Sequence, residues 1–295
     1  MITLPKDWQI YSSQIRDRCR DLIEYKIWGG IDLIKLDAWR HNFKTAEEKY
    51  FSACVLDSLI YRSNSQTYSL INQMLYKNLN NMFRILGEPD LQNFPACLID
   101  RSADLLVRLV PAITKFSPVT KSSNEILRFM KRHFRVWENW MVNPWNIEKE
   151  IIKGVKAFIF IDDFLGTGHQ FEEVILDSNL SDIIETNLII YAPLIAHEEG
   201  ISYLKSAYPS LNITYSEKLK KNSHSFFVNY FEDEQNEAKA FYIDMLAKRG
   251  ITPGIGNQYG YGDMELTFAF EHAAPDNSLQ VLHERHDNWV PLFNR

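Results

Sequence analysis

The chain has 295 residues and a formal net charge of −6 at pH 7. This acidic balance argues against a general nucleic-acid or membrane-surface binder, because such proteins carry an excess of lysine and arginine. A chain of this length can bury a substantial core and form one large domain or two, and its hydrophobic content of 45% is ordinary for a soluble globular protein.

The cysteines and the hydropathy pattern indicate a cytoplasmic protein. Cys19, Cys54 and Cys97 lie far apart and lack the spacing of metal ligands, so we expect reduced thiols. No stretch has the ~20 consecutive apolar residues of a membrane span, and the N-terminus does not resemble a secretory signal.

The chain up to residue 92 is predicted to be helical throughout. Apolar residues recur at helical spacing over residues 15–27, and Gly29-Gly30 interrupts this helix. Thr45-Ala-Glu-Glu48 is a capping box that opens the next helix. A third helix carries an apolar stripe over residues 70–83 and stops at Gly87.

From about residue 95 short β-like runs alternate with helical segments. This alternation is typical of βαβ units around a parallel sheet. We therefore predict an α/β domain over residues 93–295 after the helical region 1–92. The predicted strands are Ala96–Ile99, Leu105–Val110, Ala157–Ile161, Leu188–Tyr191, Ile213–Tyr215 and Leu266–Phe270.

The most informative segment begins with the apolar run at residues 158–161, which predicts a strand buried on both faces. Asp162 and Asp163 follow it, and Gly166-Thr167-Gly168 forms a turn before a helix over residues 170–176. The glycines let backbone N–H groups approach an anion, and the helix N-terminus adds its positive end. The carboxylates repel phosphate but suit ribose hydroxyls or a Mg²⁺ shared with substrate phosphates. The sequence therefore predicts a ribose 5-phosphate site.

This pattern resembles the phosphoribosyl-pyrophosphate signature of type I phosphoribosyltransferases. The resemblance implies a parallel sheet flanked by helices, ribose contacts from Asp162 and Asp163, and a Mg²⁺ that these acids share with the substrate. It also implies that the turn binds the 5-phosphate through Gly166, Thr167, Gly168, His169 and Gln170. Gly166 stands where salvage enzymes usually carry threonine, which removes one hydroxyl donor and leaves the backbone donors in place.

The form Asp-Asp-Phe-Leu-Gly-Thr-Gly at residues 162–168 is similar to a narrower group, the phosphoribosyltransferase-like effectors of bacterial conflict systems, including retron and related anti-phage operons. The segment Leu36–Phe43 and the tail, with Gly260-Tyr-Gly262 and Trp289-Val-Pro-Leu-Phe293, are similar to the same group. The resemblance implies a toxic effector and a partner such as a retron reverse transcriptase with its RNA–DNA.

A second candidate element is the loop over residues 114–124, which follows the strand predicted at residues 105–110 and leads into a basic helix. By analogy with phosphoribosyltransferases, Ser122 and Ser123 are candidates to bind pyrophosphate, and Lys121 to neutralise it as it departs. The alternative is that Ser-Ser-Asn is an N-cap and that the basic residues form a solvated helix face.

The glycines at residues 254–262 do not form a dinucleotide-binding loop. Their spacing is G-x-G-x-x-x-G, Pro253 precedes them, and a strand rather than a helix follows. Two interpretations stay open, a hood over the ribose site and a plain structural loop.

Three functions are compatible with this sequence. The first is an anti-phage effector that transfers or cleaves a ribosyl phosphate group. The second is a non-catalytic nucleotide sensor that regulates a partner through the helical region. The third is a nucleobase-salvage transferase, which the long helical preface disfavours. The acceptor, the partner and homo-oligomerisation stay open.

Overall fold

The computed structural model describes residues 2–91, 94–99, 106–118 and 121–294. The strands are β1 (Ile60–Arg62), β2 (Val107–Pro111), β3 (Ala157–Leu165), β4 (Leu188–His197), β5 (Asn212–Ile213), β6 (Glu217–Leu219) and β7 (Phe268–Phe270). The α-helices are α1 (Trp8–Glu24), α2 (Leu33–Arg40), α3 (Ala46–Ser58), α4 (Asn64–Gln73), α5 (Leu79–Ile85), α6 (Phe94–Cys97), α7 (Ser122–His133), α8 (Ile147–Ile152), α9 (His169–Asp177), α10 (Ser181–Thr186), α11 (Glu198–Ala207), α12 (Lys221–His224), α13 (Phe226–Phe231) and α14 (Gln235–Ala247).

The chain forms two compact units. Unit 1 comprises Met1–Thr67 and Lys220–Arg295, and unit 2 comprises Tyr68–Leu219. The predicted boundary at residue 92 lies outside the described residues, and the compact units divide the chain elsewhere. The end of the predicted helical region, from Tyr68 onward, belongs to unit 2. There Gln73 Nε2 donates to the Ser216 carbonyl at 2.9 Å.

Unit 2 contains the predicted α/β layer, a parallel sheet in the order β2-β3-β4-β5, with β6 also paired to β4. In the central register Val110 lies opposite Phe160, and Phe160 lies opposite Tyr191. Every residue of β3 is buried, as the continuous apolar run predicts for a central parallel strand. Connecting helices cover the sheet, so the predicted class is confirmed.

Some strand predictions differ from the structure. Residues 96–99 do not form a strand, because Phe94–Cys97 is the helix α6. The second strand begins at Val107, while Leu105 lies outside the described residues. The predicted strand Ile213–Tyr215 is replaced by the short strands β5 and β6.

The strand β3 is four residues longer than predicted and contains both aspartates. Its ladder with β4 continues past the apolar run, pairing Asp162 with Pro193 and Leu165 with Ala196. Backbone hydrogen bonding to a neighbouring strand, rather than side-chain polarity, therefore decides where this strand ends.

Unit 1 joins the beginning of the chain to its end. The strand β1 pairs in parallel with β7, with Ile60 opposite Phe268 and Arg62 opposite Phe270. The first ninety residues are therefore not helical throughout. The strand predicted at Leu266–Phe270 forms as Phe268–Phe270, in this two-stranded sheet rather than in the large one.

The two flanking segments that resemble the effector group pack together in unit 1. The indole Nε1 of Trp39 donates to the Val281 carbonyl at 2.6 Å, and the ring of Phe43 meets that of Trp289 edge-on at 5.3 Å. The Asn42 amide donates to the Val290 carbonyl at 2.8 Å and accepts from its N–H at 3.0 Å. The hood role of the tail stays a prediction.

The capping box at the start of α3 is confirmed. The Thr45 hydroxyl accepts from the Glu48 N–H at 3.2 Å, and the Glu48 carboxylate accepts from the Thr45 N–H at 3.4 Å. The same carboxylate pairs with Arg249 at 2.5 Å and so also ties α3 to the segment after α14.

Candidate functional site

The two predicted acids lie side by side in the carboxyl-terminal half of β3. Successive residues of a strand alternate between the two faces of a sheet, yet adjacent serines, Ser122 and Ser123, contact both carboxyl groups. Asp162 is 1% exposed and Asp163 is 8% exposed. Charged groups this deeply buried need hydrogen-bond donors from the protein or from a ligand.

Three donors from the protein reach Asp162. The Ser123 hydroxyl donates to Oδ1 at 2.7 Å, the Asp163 N–H donates to Oδ1 at 3.1 Å, and the Tyr191 hydroxyl donates to Oδ2 at 2.8 Å. Burial raises the pKa of Asp162 well above its usual range, and the adjacent Asp163 charge adds to this, while Ser123 and Tyr191 oppose it. Burial, followed by the charge of Asp162, also raises the pKa of Tyr191.

The start of α7 contacts both acids. The Ser122 hydroxyl donates to Asp163 Oδ1 at 2.8 Å, beside the Ser123 contact with Asp162. Lys121 is the N-cap residue but its side chain makes no capping bond, and its Nζ donates instead to Gln170 Oε1 at 2.8 Å. The N-cap alternative for these serines is therefore wrong. The structure brings Lys121, Ser122 and Ser123 against the segment that runs from β3 into α9.

The predicted phosphate turn occupies residues 166–168, directly before α9. Gly168 is the N-cap of α9 and has a φ of +95°, a left-handed conformation that favours glycine. A Cβ at this position would lie 2.9 Å from the Tyr203 ring. Thr167 is half-buried, and His169 and Gln170 are exposed. The first N–H groups of an α-helix lack intrahelical partners, so the turn presents donors suited to an anion.

The helix α11 packs directly on this turn through Gly200. A Cβ on Gly200 would lie 2.1 Å from the Gly166 carbonyl oxygen and 2.9 Å from Leu165 Cδ1. The absence of a side chain at this position therefore sets how closely α11 approaches the turn. Gly200 is not predictable from the sequence, because a single glycine in a helix carries no local signal of such a contact.

Tyr191 is a second site residue that local sequence patterns do not predict. Its ring stacks on that of Phe171 in α9, with centroids 3.7 Å apart and planes 2° from parallel. Phe171 in turn meets Phe160 edge-on at 5.2 Å. Tyr191 lies opposite Phe160, on the same face of the sheet as Asp162. Only the register of β4 against β3 shows that Tyr191, unlike other aromatic residues in strands, lies beside the acid pair.

Within the described ranges no group of three or more His, Cys, Asp or Glu side chains is placed to hold a metal ion. A Mg²⁺ bound mainly by substrate phosphates and water needs only one or two protein carboxylates. The acid pair on β3 fits such a shared ion and does not fit a site made by the protein alone.

None of the helices in the described part of the chain has both the length and the apolar character of a membrane span.

A parallel sheet that carries adjacent acids and a glycine turn before a helix is consistent with a phosphoribosyltransferase-like fold. The sequence model of the PRTase-CE family, which is phosphoribosyltransferase-like, matches residues 36–295. The chain belongs to this family. No curated protein matches the chain. The match begins at Leu36, the first residue of the segment that packs on the tail, and includes the whole candidate site.

Proposed function

We propose that unit 2 binds phosphoribosyl pyrophosphate or a related sugar or nucleotide phosphate. The 5-phosphate lies in the turn at residues 166–170, and the ribose hydroxyls face the acid pair Asp162 and Asp163. The observation that carries this proposal is that three parts of unit 2 lie close together. The acids, the glycine turn and the start of α7 lie together around the carboxyl-terminal half of β3.

Mg²⁺ enters with the ligand in this proposal. Asp162 and Asp163 are the carboxylates that would face it, and the phosphates of the ligand would share the ion. When bound, the ion neutralises part of the phosphate charge.

The proposed reaction is transfer of the ribosyl phosphate group. The bond between the ribose C1 carbon and the pyrophosphate oxygen breaks, and pyrophosphate leaves with the electron pair. Positive charge develops on the ribose carbon and ring oxygen, where the carboxyl oxygens of the acid pair stabilise it. Lys121 balances the charge of the departing pyrophosphate. An acceptor that this sequence does not identify, or water, then forms the new bond to C1.

Replacing Lys121 by glutamine tests the catalytic proposal. We expect pyrophosphate release from phosphoribosyl pyrophosphate and Mg²⁺ to fall on the order of a hundredfold, as when one charge-stabilising donor is removed from an active site. Release is measured with an enzyme-coupled pyrophosphate assay, with and without a small-molecule cell extract as the source of acceptors. Lys115→Gln is the matched control, since Lys115 is exposed in the same loop. Equal release by wild type and Lys121→Gln would contradict the assignment.

We further propose a cytoplasmic effector of an anti-phage defence system, held inactive by a partner such as a retron reverse transcriptase with its RNA–DNA. Its support is the similarity of residues 162–168 to conflict-system effectors and the membership of a phosphoribosyltransferase-like family. The test is the plating efficiency of phage on cells that carry the complete operon. We expect Asp162→Asn with Asp163→Asn to restore plating, and unchanged protection would refute the effector role.

One observation favours a second candidate, a non-catalytic sensor. Ser122 and Ser123 already donate to both acids, so a ligand hydroxyl at the acid pair meets the first turn of α7. Ligand binding would then be transmitted along α7 to a partner. Binding of phosphoribosyl pyrophosphate without pyrophosphate release, in the presence of cell extract, would favour this function.

A further inference from the structure

Tyr191 touches both halves of the candidate site. Its hydroxyl donates to Asp162 Oδ2 at 2.8 Å, and its ring stacks on Phe171, the third residue of α9. Tyr191 and Phe171 are each 1% exposed, so solvent does not compete for either contact. The aromatic ring therefore lies between the acid that orients the ribose and the helix whose first turn faces the phosphate.

We infer that Tyr191 is a positioning residue that holds Asp162 in place for ribose recognition and aligns the acid pair with the phosphate-binding helix α9. This inference rests on the proposed function, which assigns the ribose to the acids and the phosphate to the turn. Asp162 is held by the protein through the Ser123 and Tyr191 hydroxyls.

The hydroxyl and the ring have separable tasks. A buried carboxylate oxygen that loses a donor becomes an unsatisfied acceptor, so the carboxylate reorients. Removing the Tyr191 hydroxyl therefore disturbs Asp162 and leaves the ring on Phe171. Removing the ring as well leaves a void beside the start of α9 and disturbs the phosphate turn.

Two ligands separate these tasks. Phosphoribosyl pyrophosphate with Mg²⁺ contacts both the acids and the turn, and inorganic phosphate, as a probe of the turn, needs only its backbone donors. We expect Tyr191→Phe to weaken phosphoribosyl pyrophosphate binding about tenfold and to change phosphate binding less than twofold, since one hydrogen bond of ordinary strength corresponds to roughly a factor of ten. We expect Tyr191→Leu to weaken both ligands.

The measurement is calorimetry for phosphoribosyl pyrophosphate with Mg²⁺ and phosphorus NMR line broadening for inorganic phosphate, on the full chain. Tyr242→Phe is the matched control, because Tyr242 is fully buried in unit 1 and its hydroxyl also donates at 2.8 Å, to Gln280. This control is expected to change neither affinity. Circular dichroism confirms that each variant is folded.

Ser123→Ala gives an independent check from another element. It removes the other side-chain donor to Asp162, so it is expected to show the same selective loss as Tyr191→Phe. The positioning role would be overturned if Tyr191→Phe bound phosphoribosyl pyrophosphate as tightly as the wild type, or if it lost equal affinity for both ligands. In either case, binding of phosphoribosyl pyrophosphate by the wild type would still uphold the proposed function. An absence of binding by the wild type would instead overturn the proposed function and this inference together.

Discussion

Replacing Gly200 by alanine is expected to abolish phosphate binding at the turn and to lower the free energy of unfolding. The added Cβ would lie 2.1 Å from the carbonyl oxygen of Gly166, far inside van der Waals contact. That oxygen belongs to the backbone and cannot turn aside like the end of a flexible side chain. Relief requires α11 and the turn to separate, which disturbs the N–H groups that face the phosphate. Overpacking of this kind costs roughly 1–3 kcal/mol and occasionally more.

Urea denaturation and phosphate titration measure the two effects. The matched control is Gly254→Ala, because the nearest atom to a Cβ at Gly254 is Asn257 Nδ2 at 4.0 Å. The control is expected to unfold and bind like the wild type. If Gly200→Ala matched its control in both measurements, the close packing of α11 on the turn would be refuted.

Replacing Trp39 by alanine is expected to lower the free energy of unfolding by about 3–5 kcal/mol, the usual cost of removing a fully buried tryptophan. Trp39 is 0% exposed and its indole N–H donates to the Val281 carbonyl. The change therefore opens a cavity and removes one hydrogen bond to this carbonyl, which still accepts from Trp289 Nε1 at 3.2 Å. Because the same cluster holds the tail through Phe43 and Trp289, early proteolytic cleavage of the tail should accompany the loss.

Chemical denaturation and limited proteolysis test this prediction. Ile34→Ala is the control in the same helix, since Ile34 is 82% exposed and its truncation creates no cavity. A Trp39→Ala protein with the stability and protease resistance of Ile34→Ala would show that the two ends of the chain do not stabilise each other.

Features encoded by neighbouring residues were predictable from the sequence. The buried run of β3, the glycine turn and the helix after it follow one another in the chain, so their order alone defines the segment. The capping box at Thr45 is equally local. Even the nearness of Ser122 and Ser123 to the acids, and of Lys121 to Gln170, follows from topology, because parallel strands place their carboxyl ends at one edge of a sheet.

Features that depend on register or on distant segments were not predictable. The pairing of β1 with β7 joins residues about two hundred positions apart, and neither strand has a pattern that identifies its partner. The extension of β3 depends on the ladder with β4. Tyr191 and Gly200 gain their roles only from the residues that they contact, Asp162 and Gly166, so no local rule distinguishes them.

The most direct test of the central claim is isothermal titration calorimetry of the chain with phosphoribosyl pyrophosphate and Mg²⁺. We predict saturable binding by the wild type and its loss in Asp162→Asn with Asp163→Asn, because amides neither attract Mg²⁺ nor accept ribose hydroxyls as carboxylates do. The control is Asp182→Asn with Asp233→Asn, which removes the same charge from exposed positions and should bind normally. No binding by the wild type, or undiminished binding by the acid-pair variant, would contradict a ribose-phosphate site at β3.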